Sequence, residues 1–434
     1  MKILRYPSTA AEKRVTTIVS REIDFRKADV TAVNRILNDV KRNGDQAVIE
    51  YSRQFDAPGM GIDDLAVSSE EMAAAGKQVA RPFMRALNRA AKQIESFHRQ
   101  QMPRSWIDTR RSGTLLGQMV HPVDAAGVYV PGGKGGSTPL VSSVLMGAIP
   151  AKIAGVPRIV MATPPMPDGS VAPHLLVAAK KAGVDTVYKV GSAWAIGALA
   201  YGTQTIAAVD VVVGPGNIFV TLAKKIVSGT VGIDMIAGPS EILIIADDTA
   251  NPDFIAADLL SQAEHDILAS AILVTDSMDL ARSVLAAVKV QMEGLARVDI
   301  ARQSIDAFGS ILVVETLDAA VDLANHIAPE HLELQVASPM EMAPRIRNAG
   351  AIFLGHYTPE PVGDYMAGPN HVLPTAGTAR FSSALSVENF VKKSSLIQYS
   401  PTAFKTEARD IMQLADVEGL GAHARSIEIR LSSG

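Results

Sequence analysis

The chain has 434 residues, of which 47% are hydrophobic and 20% are charged, and this composition is typical of a globular protein with two or three domains. A formal net charge of −4 and few aromatic residues give no basis for binding nucleic acid or an anionic membrane. Cysteine is absent, which excludes disulfides, thiolate metal ligands and a cysteine nucleophile.

Neither a membrane span nor a targeting segment is predicted. No apolar run approaches the roughly 18 residues that would span a bilayer. The first residues, MKILRYPSTAAEKRV, lack the apolar core of a signal peptide. We therefore expect a cytoplasmic protein, which the absence of cysteine fits without requiring it.

The region from about residue 29 to 100 is predicted to be helical. Between residues 29 and 100 apolar residues recur at helical spacing, as in ADVTAVNRILNDV. Ser68 and Glu71 have the spacing of a capping box, which predicts the start of a further helix.

Beyond this region short β-branched runs alternate with alanine-rich stretches. One series contains GVYV, RIVMAT, TVYKV and VDVVV, and a second contains EILIIAD, ILVTD, SILVV, LELQV and AIFLG. Strands that alternate with helices of this length form βαβ units around a parallel sheet buried on both faces. We therefore predict an α/β protein with two doubly wound, incomplete Rossmann-like parallel-sheet domains, a helical N-terminal region and a small helical C-terminal tail without strands.

The two series also predict a domain division. We expect a small N-terminal segment at 1–28, a first α/β domain from 29–129 plus 241–383, a second from 130–240, and the tail at 384–434. The tail is too short for a core of its own, so we expect it to pack on another domain or another subunit.

Two glycine-rich loops follow predicted strands, VPGGKGGSTP at 130–139 and VGPGNIFV at 213–220. Glycines there allow the backbone to approach a phosphate, and the following helix offers its N-terminal amides. Neither loop matches the dinucleotide-binding fingerprint or a Walker A loop, so a nucleotide site and an ordinary turn both remain open.

Adjacent Glu330 and His331 in APEHLEL stand directly before a predicted strand. Histidine suits acid–base chemistry near neutral pH, and a partly buried glutamate can be tuned to activate water. A solvated turn between helix and strand is an equally good interpretation of the pattern.

Four further residues offer nitrogen and oxygen ligands for a metal. Gln262 and His265 are three positions apart in a predicted helix and would share one face. With Asp364 in a glycine- and proline-rich loop and His423 in the tail, they would suit zinc, manganese or iron. The gaps between them are long, and on spacing alone a polar helix face with unrelated loop residues is the better interpretation.

Taken together, these segments make the sequence similar to the histidinol dehydrogenase family along nearly its whole length. The matching strings, in consistent order, are GVYVPGG, VDVVVGPGNIFVT, IDMIAGPSEILIIAD, DLLSQAEHD, APEHLEL, GDYMAGPNHVLPT and EGLGAHARS. The resemblance implies two NAD-dependent oxidations that convert L-histidinol, through L-histidinal, to L-histidine with zinc in the site, as the last steps of histidine biosynthesis.

The resemblance also implies roles for individual residues. The implied roles are zinc ligation by Gln262, His265, Asp364 and His423, acid–base catalysis by Glu330 and His331, substrate contact by Ser240, Glu418, His331 and the zinc ligands, and NAD contact by Tyr129 and Asn217. It further implies a homodimer in which the tail of one subunit brings Glu418 and His423 to the site of the other.

One position departs from the family pattern. This chain has GSAWAIGALAYGT where the family commonly has GGAQAIAALAYGT, so that Trp194 replaces a glutamine at an NAD position. Tryptophan can stack on a flat ring or line a pocket, but it has no amide acceptor. The substitution therefore bears on the affinity or the pose of bound NAD, and Trp194 stands as a further candidate NAD residue.

The composition constrains the chemistry of the second oxidation. Without cysteine, the aldehyde must react as its hydrate or with another nucleophile. Glu330 is the candidate base for hydration, and His331 would take the alcohol proton and then the hydrate proton. Three alternatives remain: a relative acting on another amino alcohol or hydroxy compound, a zinc hydrolase without NAD, and an inactive metal-binding scaffold.

Overall fold

The computed structural model describes residues 1–21, 25–132 and 138–432. By internal contacts the chain divides into two compact units, Met1–Gln101 with Val123–Phe390, and Met102–Pro122 with Val391–Gly434. Both parallel sheets lie in the first of these units.

The first unit confirms the predicted α/β class with two sheets, in which all neighbouring strands are parallel. In spatial order, the six-stranded sheet consists of β1 (Lys2–Arg5), β11 (Ser310–Val313), β10 (Ser270–Thr275), β9 (Glu241–Ala246), β12 (His331–Gln335) and β13 (Ala351–Leu354). The five-stranded sheet consists of β6 (Thr186–Lys189), β5 (Arg158–Thr163), β4 (Ala125–Tyr129), β7 (Val211–Val213) and β8 (Gly232–Ile233).

Helices cover the faces of both sheets. They are α1 (Thr9–Val19), α2 (Lys27–Asn43), α3 (Asp45–Phe55), α4 (Ser69–Gln78), α5 (Arg81–His98), α6 (Val141–Ala154), α7 (Pro173–Ala182), α8 (Ser192–Tyr201), α9 (Ile218–Val227), α10 (Pro252–Ala263), α11 (Met278–Met292), α12 (Val298–Phe308), α13 (Leu317–Ile327), α14 (Pro339–Met342) and α15 (Glu360–Val362). A π-helical turn, Gly363–Ala367, continues α15, and 3-10 turns occur at Ile62–Asp64, Arg99–Gln101, Ala343–Arg345, Thr378–Arg380 and Val387–Phe390. The predicted capping box of Ser68 and Glu71 starts α4. No helix in the described ranges is both long and apolar enough to cross a bilayer.

The six-stranded sheet is buried on both faces because alternate residues of its strands enter two different cores. Ile242 and Ile244 of β9 pack with α10, α11 and α12, whereas Leu243 and Ile245 pack with α1 and α13. The first residues of the chain, predicted as a separate segment, supply the edge strand β1 and the covering helix α1.

Helices α2 and α3 differ from the predicted grouping. Val33 and Leu37 of α2 and Ile49 of α3 share one core with Val160 and Val212 of the five-stranded sheet. Residues 29–129 were predicted to belong with the other sheet. Helical periodicity identifies which face of a helix is buried, but not which sheet buries it.

The second unit contains strands as well as helices. An antiparallel sheet has the order β14 (Val391–Tyr399), β3 (Thr114–Pro122) and β2 (Trp106–Asp108), and α16 (Pro401–Val417) and α17 (Gly421–Ser432) follow. The two helices confirm the helical tail, but the prediction that the tail lacks strands was wrong. All the interior residues of β14 are exposed, so no alternation of apolar and polar residues marks it in the sequence.

Candidate active site

Three connections place polar residues at the amino-terminal edge of the six-stranded sheet, that is, at the end where its strands begin. Ser240 directly precedes β9, Glu330 directly precedes β12, and α10 ends shortly before β10. Parallel strands all enter a sheet from the same side, so these connections meet at one edge. Glu330, His331 and the end of α10, which carries Gln262, therefore lie at the same end of this sheet.

Glu241, the first residue of β9, contacts both predicted acid–base residues. Its N–H donates to Oε2 of Glu330 at 2.9 Å, and its own Oε2 accepts from the Glu330 N–H at 3.3 Å. Its carbonyl oxygen lies 2.9 Å from Nδ1 of His331. All three residues are buried, so the two reactive groups are held in fixed positions away from bulk water.

These contacts define the protonation of His331. A carbonyl oxygen can only accept, so Nδ1 carries the proton and Nε2 keeps its lone pair. Burial lowers the pKa of His331 to about 4, and the ring is neutral at pH 7. Burial also raises the pKa of Glu330 well above its usual range. The site therefore offers a free imidazole base beside a carboxyl group that can hold a proton near neutral pH.

Asp364 lies beside His331 in a cluster of potential metal ligands. His331, Glu360 and Asp364 present ligand atoms that all lie within 4.8 Å of one another. Asp364 is carried by the π-helical turn after α15, a feature that is frequent at functional sites. Nδ1 of His371 lies 3.6 Å from Oδ1 of Asp364. Glu360 and His371 were not among the predicted site residues, although both are within seven residues of Asp364 in the sequence.

Gln262 and His265 lie at one end of α10 but not on one face of it. The helix ends at Ala263, Glu264 caps it, and His265 belongs to the turn beyond, where its N–H donates to the Gln262 carbonyl at 3.2 Å. The prediction of a shared helix face was wrong, because the helix stops before its last turn can include His265. Gln262 is 1% exposed, and its Oε1 has no hydrogen-bond partner among the described residues. Buried polar atoms are normally hydrogen-bonded, so this unpartnered amide oxygen is available to a ligand or an ion.

One buried face of β12 is polar. His331, Glu333 and Gln335 alternate there with leucines, which point to the opposite core. Nε2 of Gln335 donates to Glu333 at 2.9 Å and to Asp258 at 2.8 Å, and Glu333 accepts the Glu360 N–H at 3.0 Å. Central parallel strands are normally apolar throughout, so the alternation HLELQ was a readable signal for this cluster. The hydrogen bonds of this cluster connect α10 and α15 to β12, the strand that starts with His331.

A cavity of about 290 Å³ lies at these residues. Its lining includes His331, Asp364 and His371 together with apolar side chains such as Phe353 and Leu385. Small-molecule sites combine this kind of apolar wall with a few polar groups, and this volume is close to the lower end of their range. The cavity is large enough for a small molecule, with polar groups at His331, Asp364 and His371.

The predicted NAD residues belong to the five-stranded sheet. Strands β5 and β6 lie on one side of β4, and β7 and β8 on the other, so the strand order reverses between β4 and β7. Tyr129 ends β4, and Asn217 caps the helix that follows β7 through its Oδ1. In open α/β sheets, ligands bind at the carboxyl ends of the strands at this reversal. Of the glycine-rich loop at 130–139, residues 133–137 lie outside the described part of the chain.

The loop after β7 is fixed by a buried ion pair. Lys224 and Asp234 pair with each other, and they bind the Gly214 carbonyl and N–H at 2.9 and 2.8 Å respectively. Gly214 has φ +120°, and a Cβ there would overlap the carbonyl oxygen of Tyr129. Only glycine allows this close approach of the two backbones.

Trp194 is a core residue. It is 4% exposed, its Nε1 donates to Oγ of Ser52 at 3.2 Å, and its ring stacks with Tyr51 and Phe55. No polar group of this side chain is left to contact NAD. The indole fills the space between α3 and α8, and this explains why a large apolar residue is accepted at that position.

Glu418 and His423 lie in the second unit. Glu418 caps the C-terminus of α16, and His423 is near the start of α17. Both side chains are exposed in this single chain. That these residues complete the site of a second subunit stays a prediction.

Comparisons with known proteins agree with this picture. The model of the histidinol dehydrogenase family matches residues 20–431. A histidinol dehydrogenase of Desulfotalea psychrophila is 57% identical over 92% of both chains, and one of Geobacillus kaustophilus is 54% identical over 100% of both. The crystal structure of histidinol dehydrogenase from Elizabethkingia anophelis superposes with a TM-score of 0.93 at 36% identity, covering 100% of this chain and 98% of that one. The chain thus belongs to the histidinol dehydrogenase family.

Proposed function

We propose that this protein oxidises L-histidinol through L-histidinal to L-histidine in the cytoplasm, with NAD as oxidant and zinc in the site, as the last steps of histidine biosynthesis. The observation that carries the proposal is the buried pair of Glu330 and His331 beside the potential metal ligands, at one edge of the six-stranded sheet. Family membership supports the substrate and the two-step oxidation.

His331 is the base of the proposed reaction. Its Nε2 lone pair is free because Nδ1–H is bound to the Glu241 carbonyl. It takes the proton of the alcohol in the first oxidation and of the aldehyde hydrate in the second. A neutral imidazole is required for both steps, and burial keeps the ring neutral.

Glu330 is the proposed base for hydration of the aldehyde. The chain has no cysteine that could form a thiohemiacetal, so water must add to the carbonyl carbon. Burial raises the pKa of Glu330, which strengthens its carboxylate as a base towards a water molecule. The Glu241 N–H holds one of its oxygens and leaves the other for that water.

Zinc is proposed to be held by Gln262, His265, Asp364 and His423. The unpartnered buried Oε1 of Gln262 and the position of Asp364 next to His331 fit such a site. Bound zinc would hold the imidazole and amino nitrogen atoms of histidinol and orient the reacting carbon. Ser240, which directly precedes Glu241, and Glu418 are proposed to contact the substrate.

NAD is proposed to bind at the five-stranded sheet, near Tyr129 and Asn217, and to accept the hydride in each oxidation. The close backbone approach at Gly214 and the helix N-terminus capped by Asn217 fit a phosphate-bearing ligand. Trp194 is left out of this proposal, because its side chain is buried in the core.

A homodimer completes the proposal, with Glu418 and His423 of each subunit serving the site of the other. Their exposure in the single chain supports this arrangement. Several apolar side chains of the second unit are exposed as well, including Ile397 at 68% and Leu414 at 68%, which is the expected property of a surface that a partner covers.

The test measures NADH formed per L-histidinol consumed, with zinc present and after chelation. Two NADH per substrate, lost with chelator and restored by zinc, is the expected result. One NADH would mean that the reaction stops at the aldehyde and would contradict the role of Glu330. No NADH from histidinol would contradict the substrate, and a panel of other amino alcohols would then identify a related enzyme.

A further inference from the structure

The start of β9 contains a second buried charged group that no step of the proposed reaction uses. Glu241 pairs with Arg21, which follows α1, and their side chains are only 6% and 8% exposed. The two residues are 220 positions apart in the sequence, so no local motif joins them. Buried ion pairs contribute little net stability, because desolvation offsets their attraction. The location of this pair suggests another role.

Glu241 contacts both Glu330 and His331, and its carboxylate also binds Arg21 and the Ala376 backbone. The main-chain N–H and carbonyl bind the Glu330 carboxylate and the His331 ring, both at 2.9 Å. Of the two carboxylate oxygens, Oε2 accepts the Glu330 N–H and Oε1 binds Arg21. Any shift of Glu241 therefore moves both reactive groups.

Arg21 connects Glu241 to the turn that carries His265. Its guanidinium donates to the Leu268 carbonyl at 2.6 Å and to Oγ of Ser270 at 3.0 Å, while Nε donates to the Ile18 carbonyl at 3.1 Å. Leu268 lies in the segment between His265 and the first residue of β10. A planar guanidinium with several donors fixes such a junction more rigidly than an ammonium group would.

We propose that Arg21 and Glu241 are positioning residues, which together hold Glu330 and His331 in register with the metal-binding turn after α10. This inference rests on the proposed function. No step of the proposed reaction uses Arg21 or Glu241, so their role is to position other groups.

The sharpest test is Glu241→Gln. A carboxylate has two acceptor oxygens, whereas an amide has one, so the variant must lose either the Arg21 contact or the Glu330 N–H contact. We expect kcat to fall by about 10- to 100-fold, since small displacements of reacting groups have effects of this size. The KM for NAD should stay within about twofold, because the cofactor residues are on the other sheet. Arg21→Met should act in the same way.

Arg14→Met is the matched control. Arg14 is on α1 and also joins that helix to the amino edge of the same sheet, donating to Oγ of Ser310 at 2.8 Å and to the Gly309 carbonyl at 2.9 Å. It reaches β11 and none of the proposed site residues. We expect a loss of stability comparable to that of Arg21→Met, with kcat unchanged.

A second readout is the nitrogen-15 NMR signal of the His331 ring, assigned through its loss in His331→Asn. The protein should show the tautomer with a proton on Nδ1, and this signal should change in Glu241→Gln and not in Arg14→Met. An unchanged kcat in Glu241→Gln, or an unchanged His331 signal despite a lower kcat, overturns the proposal. If the protein does not oxidise histidinol at all, the proposed function fails, and the NMR comparison alone decides the positioning role. Should Arg21→Met fail to fold, the nearly isosteric Glu241→Gln still decides it.

Discussion

The two parallel sheets are built alike, but the functional residues proposed for them lie at opposite ends. In the five-stranded sheet, Tyr129, Gly214 and Asn217 follow the carboxyl ends of β4 and β7, where the strand order reverses. In the six-stranded sheet the order reverses between β9 and β12, yet Glu330 and His331 lie at the amino end of β12. The usual rule for open α/β sheets locates the first site but not the second.

The difference has a physical cause in the residues at each end of the six-stranded sheet. At its carboxyl end a hydrogen bond joins the segments that follow β9 and β12, in which Oδ2 of Asp247 accepts the Ala337 N–H at 2.8 Å. At its amino end a buried network of Glu241, Glu330 and His331 connects the same two strands. Topology thus defines where a sheet can hold a ligand, and the side chains decide which end is used.

The most direct test of this difference replaces one histidine at each end of the six-stranded sheet. His331→Asn removes the proposed base at the amino end, and we expect kcat with histidinol to fall by about 10²- to 10⁴-fold. His356→Asn is the control at the carboxyl end, where His356 follows β13 and its ring lies 3.4 Å from Oγ1 of Thr249. Its kcat should change by less than about twofold. Equal losses in both variants would show that the end of the sheet does not matter.

Glycine substitutions sharpen the comparison at the five-stranded sheet. Gly214→Ala adds a Cβ that overlaps the backbone of Tyr129, whereas Gly229→Ala, also at positive φ (+95°), has nothing within 4 Å. Both variants strain the backbone by about 1 kcal/mol or more, but only the first displaces the proposed cofactor loop. We expect the Kd for NAD, measured by fluorescence titration, to rise by about tenfold or more in Gly214→Ala only. A similar rise in both variants would mean that general strain weakens binding.

The sequence predicted the fold wherever burial leaves a pattern. Strands buried on both faces gave continuous apolar runs, and these identified both parallel sheets. The exposed strand β14 carries no such run and was missed. The sheet against which α2 packs was also predicted wrongly, because the apolar face of a helix carries no information on which sheet covers it.

The candidate site was predictable only where chemistry is local in the chain. Glu330 and His331 are adjacent and precede a strand, so their pattern pointed to acid–base chemistry. Arg21 and Glu241 are joined only by the folded structure, and their pairing has no sequence spacing to reveal it. A charged residue that opens the apolar strand EILIIA was the one available hint.

Buried carboxylates near the two sheets allow the comparison to be tested by a small change in stability that can be calculated from a pKa. At the six-stranded sheet, Glu241 and Glu330 are hydrogen-bonded, whereas near the five-stranded sheet Oδ2 of Asp56 is buried without a partner among the described residues. Burial raises the pKa of Asp56 from 3.8 to about 6. The folded state therefore binds this proton more tightly than the unfolded state does, and stability falls as the pH rises through this interval. Asp56→Asn removes the buried charge.

We expect Asp56→Asn to unfold with a free energy about 1–2 kcal/mol higher than that of the unmodified protein at pH 7.5, after allowance for the partial exposure of the carboxyl group. At pH 4.5 the gain should shrink to roughly a third, because Asp56 is then mostly protonated in the folded state. Urea denaturation at both pH values measures this difference in the free energy of unfolding. The control is Asp63→Asn, at an exposed position three residues before Ala66, which forms an isolated β-bridge. It should leave the free energy of unfolding unchanged at both pH values. A gain that is the same at both pH values would show that Asp56 is not titrating, and that the unpartnered oxygen is solvated by bound water. In that case the buried carboxylates near both sheets would have hydrogen-bond partners. The two sheets would then differ only in the end at which their proposed functional residues lie.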